Sequence, residues 1–216
     1  MDVSPACLDD EERDQASRFI TAELSRRFTA GRVMRRMVLS KYTGLAPHAL
    51  RFGEIGQKKP ILLGLQSPLE FNQTNSGDLA LLAVSSDMPV GIDLEVPKDR
   101  SAALDIAKHQ FHELEKTAIF SRCTENEQVA AFYRCWTRKE AFVKALGLGL
   151  YLPLNSFAVD VNGQERTKLL VCPDEHGPPA MWEILDLGVP GGNFAALAIA
   201  QPQARLQCFS YAFERC

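Results

Sequence analysis

Asp93 and Glu95 interrupt a stretch that otherwise has the composition of a buried strand, Val90-Gly91-Ile92-Asp93-Leu94-Glu95. Residues i and i+2 of a strand point to the same face, so the two carboxylates share one face of the strand. Two carboxylates this close repel each other unless water or a cation lies between them. Oxygen ligands of this kind suit Mg²⁺, Mn²⁺ or Ca²⁺, although an exposed strand with two solvated acids has the same spacing.

A second group of charged residues lies in a predicted helix over residues 125–146. At 100° per residue, the apolar side chains of this segment form a single buried arc: Val129, Phe132, Trp136, Val143 and Leu146. Lys139 falls inside that arc, Glu140 falls at its edge, and Lys144 lies beside it. A charge at a core boundary costs free energy unless it is paired or lines a site. An i, i+4 salt bridge to Glu140 explains Lys144 well, but it leaves Lys139 unexplained.

A third carboxylate beside Asp93 and Glu95 would complete a magnesium site with a lysine close by. Magnesium keeps several waters and binds phosphates through one or two carboxylates. Residues 11–60 carry 11 Lys and Arg against 5 Asp and Glu, so this first third could hold a polyanion or present a solvated basic helix face. Acids, a lysine and a basic region together indicate phosphoryl or diphosphate chemistry.

The composition is that of an ordinary globular protein. The chain has 216 residues, 46% of them hydrophobic and 24% charged, which excludes disordered, collagen-like and coiled-coil classes. This length allows one large domain or two small ones. The net charge of -3 argues against a nucleic-acid partner.

Cysteine spacing and the termini indicate the compartment. The six cysteines show neither a CxxC pair nor a Cys/His cluster, so we expect reduced thiols and no zinc site. The N-terminus lacks the basic and apolar segments of a signal peptide. The longest uncharged stretch, 187–204, contains three glycines and two prolines and is typical of a strand between turns, not of a membrane span. We therefore expect a soluble, cytoplasmic protein without a membrane partner.

Periodicity predicts helices followed by strands, twice over. Helices are expected over 9–44 and 102–146, the second broken near 122–126. Strands are expected over 50–55, 79–84, 90–95, 157–160, 168–172, 181–185, 194–200 and 206–212. This order favours an α+β fold with antiparallel sheets.

One internal similarity supports two related halves. Gly77–Val84 and Gly192–Ile199 are identical at four of eight positions. Strands rich in glycine and alanine coincide often, so on its own this is a weak sign of duplication.

Two ordered motifs resemble the 4′-phosphopantetheinyl transferases, in their larger surfactin-synthetase-activating branch and its WxxKEA subgroup. The first motif is Gly91-Ile92-Asp93-Leu94-Glu95, and the second is FYRCWTRKEAFVKALGLGL over residues 132–150. Upstream, Gln57-Lys58-Lys59-Pro60 and FNQTNSG over residues 71–77 extend the resemblance.

This resemblance implies an α+β fold of two pseudo-symmetric halves, each an antiparallel sheet packed with helices, with the active site in the cleft between them. We expect a coenzyme A-binding N-terminal half at 1–90 and a C-terminal half with both motifs at 91–216. The family transfers phosphopantetheine from coenzyme A to a serine of an apo-acyl or apo-peptidyl carrier protein and releases 3′,5′-ADP. The implied cofactor is Mg²⁺, with Mn²⁺ as a substitute. We expect a monomer, since two halves already form the cleft.

Roles follow from motif position. Asp93, Glu95 and Glu140 are implied to hold Mg²⁺ against the diphosphate, and Lys144 is implied to contact the phosphates. The resemblance implies contacts with coenzyme A for a further set: Arg27, Lys59, Thr74, Asn75, Asp93, Lys139 and Lys144. The serine proton needs a base, and Glu140 and Glu115 are both candidates.

Asn75 departs from the family's pattern. Thr74-Asn75-Ser76 lies where the family usually has Ser-His-Ser, whose histidine contacts a coenzyme phosphate. Asparagine donates a hydrogen bond but carries no positive charge. We expect weaker coenzyme binding than in histidine-bearing relatives, with less loss of affinity as pH rises through about 6 to 7.

Two other classes of protein remain open. Asn75 would suit a degenerate relative that binds coenzyme A or a carrier without turnover, but the intact DxE and KExxxK motifs argue against it. A two-metal phosphodiesterase or nuclease would use the same acids, yet it needs more carboxylates or histidines and a nucleic-acid partner that the net charge disfavours.

Overall fold

The structure is a computed structural model that describes residues 5–65, 68–97 and 100–212. Residues 1–4, which contribute to the prediction of no signal peptide, and Cys216 lie outside the described part. The chain divides into two units: residues 1–53, 62–66 and 205–216 form the first, and residues 54–61 and 67–204 form the second. These units differ from the expected halves at 1–90 and 91–216, whose pseudo-symmetry stays a prediction.

Two helices, α1 (Asp10–Ser17) and α2 (Ala22–Thr43), make up most of the first unit. Asp9 and Thr21 cap them, each accepting a hydrogen bond from the backbone amide three residues on. The single helix predicted over 9–44 is therefore interrupted before Thr21, because an N-cap residue takes an extended backbone conformation. Gly44, with φ of 71°, ends α2.

Two hairpins follow in the sequence. Strands β1 (Phe52–Ile55) and β2 (Lys59–Leu62) form a two-stranded sheet, and the boundary between the units falls within this hairpin. Strands β3 (Glu70–Ser76) and β4 (Leu79–Ser85) pair antiparallel in the second unit, from Glu70 opposite Ser85 to Ser76 opposite Leu79.

A five-stranded antiparallel sheet forms the centre of the second unit. Its strands are β5 (Val90–Glu95), β6 (Ala158–Val159), β7 (Arg166–Val171), β8 (Glu183–Asp186) and β9 (Phe194–Ile199). They lie in the order β5-β9-β8-β7-β6. The predicted α+β class with antiparallel sheets is confirmed. The strand predicted over 206–212 is wrong: this segment forms no strand, and Phe209 is exposed.

Helices α3 (Arg100–Gln110), α4 (Glu113–Phe120) and α5 (Glu125–Leu146) precede β6 in the sequence. The predicted break near 122–126 is present, and a second break occurs at Phe111–His112. It arises because His112 caps α4: its Nδ1 accepts from Leu114 N at 3.2 Å, and Glu115 Oε2 accepts from His112 N at 3.0 Å. Among the described residues, no helix has both the length and the apolar character needed to span a bilayer.

The core of the second unit lies between α5 and the sheet. Phe142 packs edge-on against Trp182 with ring centroids 4.8 Å apart, and Phe111 stacks on Phe132 at 5.4 Å. Gly91 lets β5 approach α5 closely, because a Cβ there would lie only 2.1 Å from the carbonyl oxygen of Ala141. The apolar arc predicted for α5 is buried, with Val129, Phe132 and Val143 each at most 8% exposed, but the helix is also buried on its opposite side, where Ala141 and Ala145 meet β5.

The two similar segments adopt the same local structure. Gly77 and Gly192 both have positive φ, of 58° and 70°, and each lies two residues before the first residue of a strand, β4 and β9 respectively. This local equivalence agrees with the sequence similarity.

Candidate active site

The caps of α5 fix where its charged side chains lie. Thr124 Oγ1 accepts from Glu127 N at 3.3 Å, and Glu127 Oε2 accepts from Thr124 N at 3.0 Å, which forms a capping box at the start. At the other end Gly147, with φ of 70°, terminates the helix. Lys144 thus falls in the last turn, where the helix dipole favours a cation.

Asp93 is the most buried of the three predicted metal ligands, with 3% of its surface exposed. Its Oδ1 forms an ion pair with Lys144 Nζ at 2.5 Å and accepts from Thr74 Oγ1 at 3.4 Å. Its Oδ2 is also buried, and no donor of the described residues bonds to it. A buried carboxylate oxygen without a donor is costly, so it indicates a cation that binds there.

Glu95 and Glu140 flank Asp93. Trp136 Nε1 donates to Glu95 Oε1 at 3.2 Å and so orients that carboxylate. Burial raises the pKa of the Glu140 carboxyl above its ordinary value; Asp93 and Glu95 add to the rise, and Lys144 opposes it. A buried acid whose pKa is raised further by two neighbouring carboxylates is typical of a site that gathers negative charge for a cation.

The acids are not arranged as a finished metal site. Within the described ranges, no three His, Cys, Asp or Glu side chains form a group that could hold a metal ion. The three side chains nevertheless offer the oxygen atoms that Mg²⁺ prefers. The residues fit Mg²⁺ because their side chains supply oxygen ligands and because Asp93 Oδ2 is buried without a hydrogen-bond donor among the described residues.

Lys139 and Glu115 lie in the interior, and neither is exposed. Lys139 Nζ contacts both Glu115 carboxylate oxygens, at 2.6 and 2.8 Å, and the carbonyl oxygen of Phe157 at 2.8 Å. Glu115 Oε1 also accepts from Val159 N at 2.8 Å. Lys139 is thus explained as half of a buried ion pair. Within the described part of the chain, neither side chain bonds to Asp93, and both are fully buried, so neither is accessible for contact with coenzyme A or for proton transfer.

Lys59 is also buried, with 6% of its surface exposed. Its Nζ donates to the carbonyl oxygen of Ala145 at 2.9 Å and to Glu70 Oε2 at 3.0 Å. These bonds place its ammonium at the C-terminus of α5. The expected contact between Lys59 and coenzyme A therefore stays a prediction that this geometry does not support.

The remaining residues predicted to contact the coenzyme are Arg27, Thr74 and Asn75, and they differ in their surroundings. Asn75 is exposed and accepts from Gln73 Nε2 at 3.2 Å, whereas Thr74 points to the opposite, buried face. Arg27 belongs to the first unit and forms an ion pair with Glu23 at 2.6 Å. Weaker coenzyme binding at Asn75 stays a prediction.

The basic first third is not simply a solvated helix face. Glu12, which is buried, binds Arg35 Nη2 at 2.7 Å and Arg36 Nε at 2.6 Å, and Asp9 also bonds to Arg36. Burial lowers the pKa of Arg35 to about 10. Arg35 and Arg36 therefore hold α2 against the residues around α1 and are not free to bind a polyanion.

Trp136, which the helical pattern placed only in the core, also contacts a residue of the candidate site. Its indole faces the aromatic cluster while its N–H reaches Glu95, which is typical of a tryptophan at a core boundary. The available signal was its position in the apolar arc beside the site, 40° from Phe132 at 100° per residue.

Comparison with known proteins agrees with these motifs. A family model described as the 4′-phosphopantetheinyl transferase superfamily matches residues 89–199, and one described as 4′-phosphopantetheinyl transferase, N-terminal, matches residues 2–87. The chain is 37% identical over 198 residues to the 4′-phosphopantetheinyl transferase HetI of Nostoc sp., covering 90% of this chain and 79% of that protein. It is 34% identical over 168 residues to the 4′-phosphopantetheinyl transferase Sfp of Bacillus subtilis, covering 78% and 72%. Among solved structures, the holo-[acyl-carrier-protein] synthase of Thermotoga maritima aligns with a TM-score of 0.38 at 23% identity, over 54% of this chain and 65% of that one.

Proposed function

Since the chain belongs to the 4′-phosphopantetheinyl transferase superfamily, in the branch of Sfp and HetI, we propose that it transfers phosphopantetheine from coenzyme A to a serine of an apo-acyl or apo-peptidyl carrier protein. The second product is 3′,5′-ADP. Membership of the WxxKEA subgroup stays a prediction. The observation that carries the proposal is the Asp93 carboxylate, which pairs with Lys144 through one oxygen and keeps the other without a donor among the described residues.

Asp93, Glu95 and Glu140 are the residues that would hold Mg²⁺. When bound, Mg²⁺ offsets negative charge on the diphosphate of coenzyme A and on the leaving 3′,5′-ADP. Trp136 keeps Glu95 oriented for this role by its hydrogen bond of 3.2 Å. Lys144 forms an ion pair with the Asp93 carboxylate and would supply a second positive charge to the phosphates.

Glu140 is the base that the geometry favours over Glu115. In the reaction the serine oxygen forms a bond to the β-phosphorus, the bond from that phosphorus to the 3′,5′-ADP oxygen breaks, and the serine proton must leave. Burial raises the pKa of the Glu140 carboxyl, which makes it a stronger proton acceptor than an ordinary glutamate. Glu115 is fully buried, and its oxygens are bonded to Lys139 and to backbone amides.

Intact-mass spectrometry of an apo-acyl-carrier protein tests the proposal. The carrier is incubated with this protein, coenzyme A and Mg²⁺, with Glu140→Gln and an EDTA sample as controls. We expect a mass gain of one phosphopantetheine that is absent from both controls. Coenzyme binding without a gain on several different carriers would support the degenerate binder instead.

We further propose a cytoplasmic monomer that binds neither nucleic acid nor membrane. The net charge of -3 supports the absence of a nucleic-acid partner. Size-exclusion chromatography with light scattering measures the oligomeric state directly.

A further inference from the structure

The outer edge of β5 is held by side chains. On one edge β5 pairs with β9 through a backbone ladder. On the other edge, Ile92 N donates to Asn72 Oδ1 at 2.8 Å, and Val96 N donates to Ser76 Oγ at 3.2 Å. Both bonds join residues 20 positions apart in the sequence, so β3 and β5 run parallel here, in one register.

This register places Thr74, which lies on the same face of β3 as Asn72 and Ser76, beside the Asp93 carboxylate. Asn72, Thr74 and Ser76 are alternate residues of one strand and share a face. Thr74 lies between the two side-chain bonds and donates to Asp93 Oδ1, which also accepts from Lys144. The bonds of Asn72 and Ser76 therefore flank Asp93 on both sides along β5.

We propose that Asn72 and Ser76 are positioning residues for the transfer reaction, an inference that rests on the proposed function. They fix the edge of β5 and hold the Asp93 carboxylate between Thr74 and Lys144. Ile92 and Asn72 are both buried, so the Ile92 amide depends on Asn72 for its hydrogen bond. Without these acceptors the edge of β5 shifts, and a displacement of about 1 Å at a reacting group lowers a rate by up to about a hundredfold.

Two variants remove the hydrogen bonds to the Ile92 and Val96 amides one at a time. Ser76→Ala removes the acceptor of the Val96 amide, and Asn72→Ala removes the acceptor of the Ile92 amide. Ser76→Thr keeps the hydroxyl and serves as the rescuing variant. Ser86→Ala is the matched control, because Ser86 is exposed and bonds only to Asp87 among the contacts of the described residues.

Hydrogen exchange and steady-state kinetics are measured on each folded variant. We expect the freed amide, Val96 or Ile92, to exchange about tenfold faster than in the unmodified chain. We also expect kcat to fall about tenfold while the KM for coenzyme A stays within about twofold, because neither Asn72 nor Ser76 is among the residues expected to contact coenzyme A. Ser76→Thr should restore both values, and Ser86→Ala should change neither.

Four results count against the inference. Faster exchange with an unchanged kcat would show a structural bond only, and unchanged exchange would show that the bond does not protect the amide. An unmodified chain without transferase activity would refute the proposed function, and the positioning role with it. An active unmodified chain with an unaffected Ser76→Ala variant refutes the positioning role alone.

Discussion

Lys59→Met distinguishes two roles for one lysine. The resemblance implies that Lys59 contacts coenzyme A, whereas the structure places its ammonium between the carbonyl oxygen of Ala145 and the carboxylate of Glu70. Methionine keeps the length and the apolar stem of the side chain but removes all three donors. The variant therefore tests whether the ammonium serves the C-terminus of α5 or a ligand.

The magnitude follows from those two contacts. The Lys59 side chain is only 5% exposed, so its bonds are weakly screened by water. A hydrogen bond with a charged partner contributes about 1.5–3 kcal/mol, and a cation at a helix C-terminus contributes about 0.3–1 kcal/mol. Because Glu70 keeps 27% exposure and regains water, we expect a net loss of about 2 kcal/mol in the free energy of unfolding. For a chain of this size that loss lowers the Tm by about 4–8 °C.

Thermal unfolding and transferase kinetics are measured together on this variant. We expect the lower Tm, a reduced kcat as the end of α5 loosens near Lys144, and little change in the KM for coenzyme A. Lys58→Met is the matched control, because Lys58 is the exposed neighbour and should leave the Tm within about 1 °C. An unchanged Tm with a raised KM would refute this reasoning and would support the coenzyme contact.

Three further predictions concern packing and charge around α5. Lys139→Met leaves the Glu115 carboxylate buried without its cation and should cost about 3–5 kcal/mol in urea unfolding, whereas adding Glu115→Gln should recover at least about half of that loss. Gly91→Ala should cost about 3 kcal/mol, because its Cβ would lie 2.1 Å from the Ala141 carbonyl oxygen, while Gly188→Ala, whose Cβ meets no described atom within 4 Å, should stay within about 0.5 kcal/mol. Burial raises the pKa of Glu140 in the folded protein above its value in the unfolded chain. The protonated carboxyl is therefore compatible with folding at low pH, and this contribution to the free energy of unfolding is lost as the pH rises through the pKa of the folded state. Glu140→Gln should therefore raise the Tm of the metal-free protein more at pH 7 than at pH 4 while abolishing transfer; an equal shift at both pH values would contradict the burial of this charge.

Short-range patterns predicted the elements of the site well. The alternation around Asp93 gave β5 with its observed bounds, and the helical arc placed Lys139 inside the core. The sequence could not name the partner of Lys139, because Glu115 lies 24 positions away in another helix. A salt bridge between Glu140 and Lys144 was the local expectation, yet Lys144 pairs with Asp93, 51 positions distant.

The local charge count has a related limit. It overstates the charge that is free to bind a polyanion, since Arg35 and Arg36 pair with Glu12, Arg36 also bonds to Asp9, and Lys59 bonds to Glu70. Pairing across a fold depends on where elements meet in space, and local charge density does not contain that information. The same limit applies to the outer edge of β5. The sequence pattern does not predict that Asn72 and Ser76 bond to this edge, because those bonds depend on how β3 lies beside β5.

The pairing of β5 also has a consequence for biosynthesis. Val90 pairs with Ile199, so during translation β5 leaves the ribosome long before its ladder partner. Over that interval an apolar strand with an unpaired edge is a template for aggregation with other nascent chains. Asp93 and Glu95 place two negative charges within that strand, and charges of this kind discourage pairing between copies. The carboxylates required for chemistry in the folded protein thus protect the unfinished chain before the site exists.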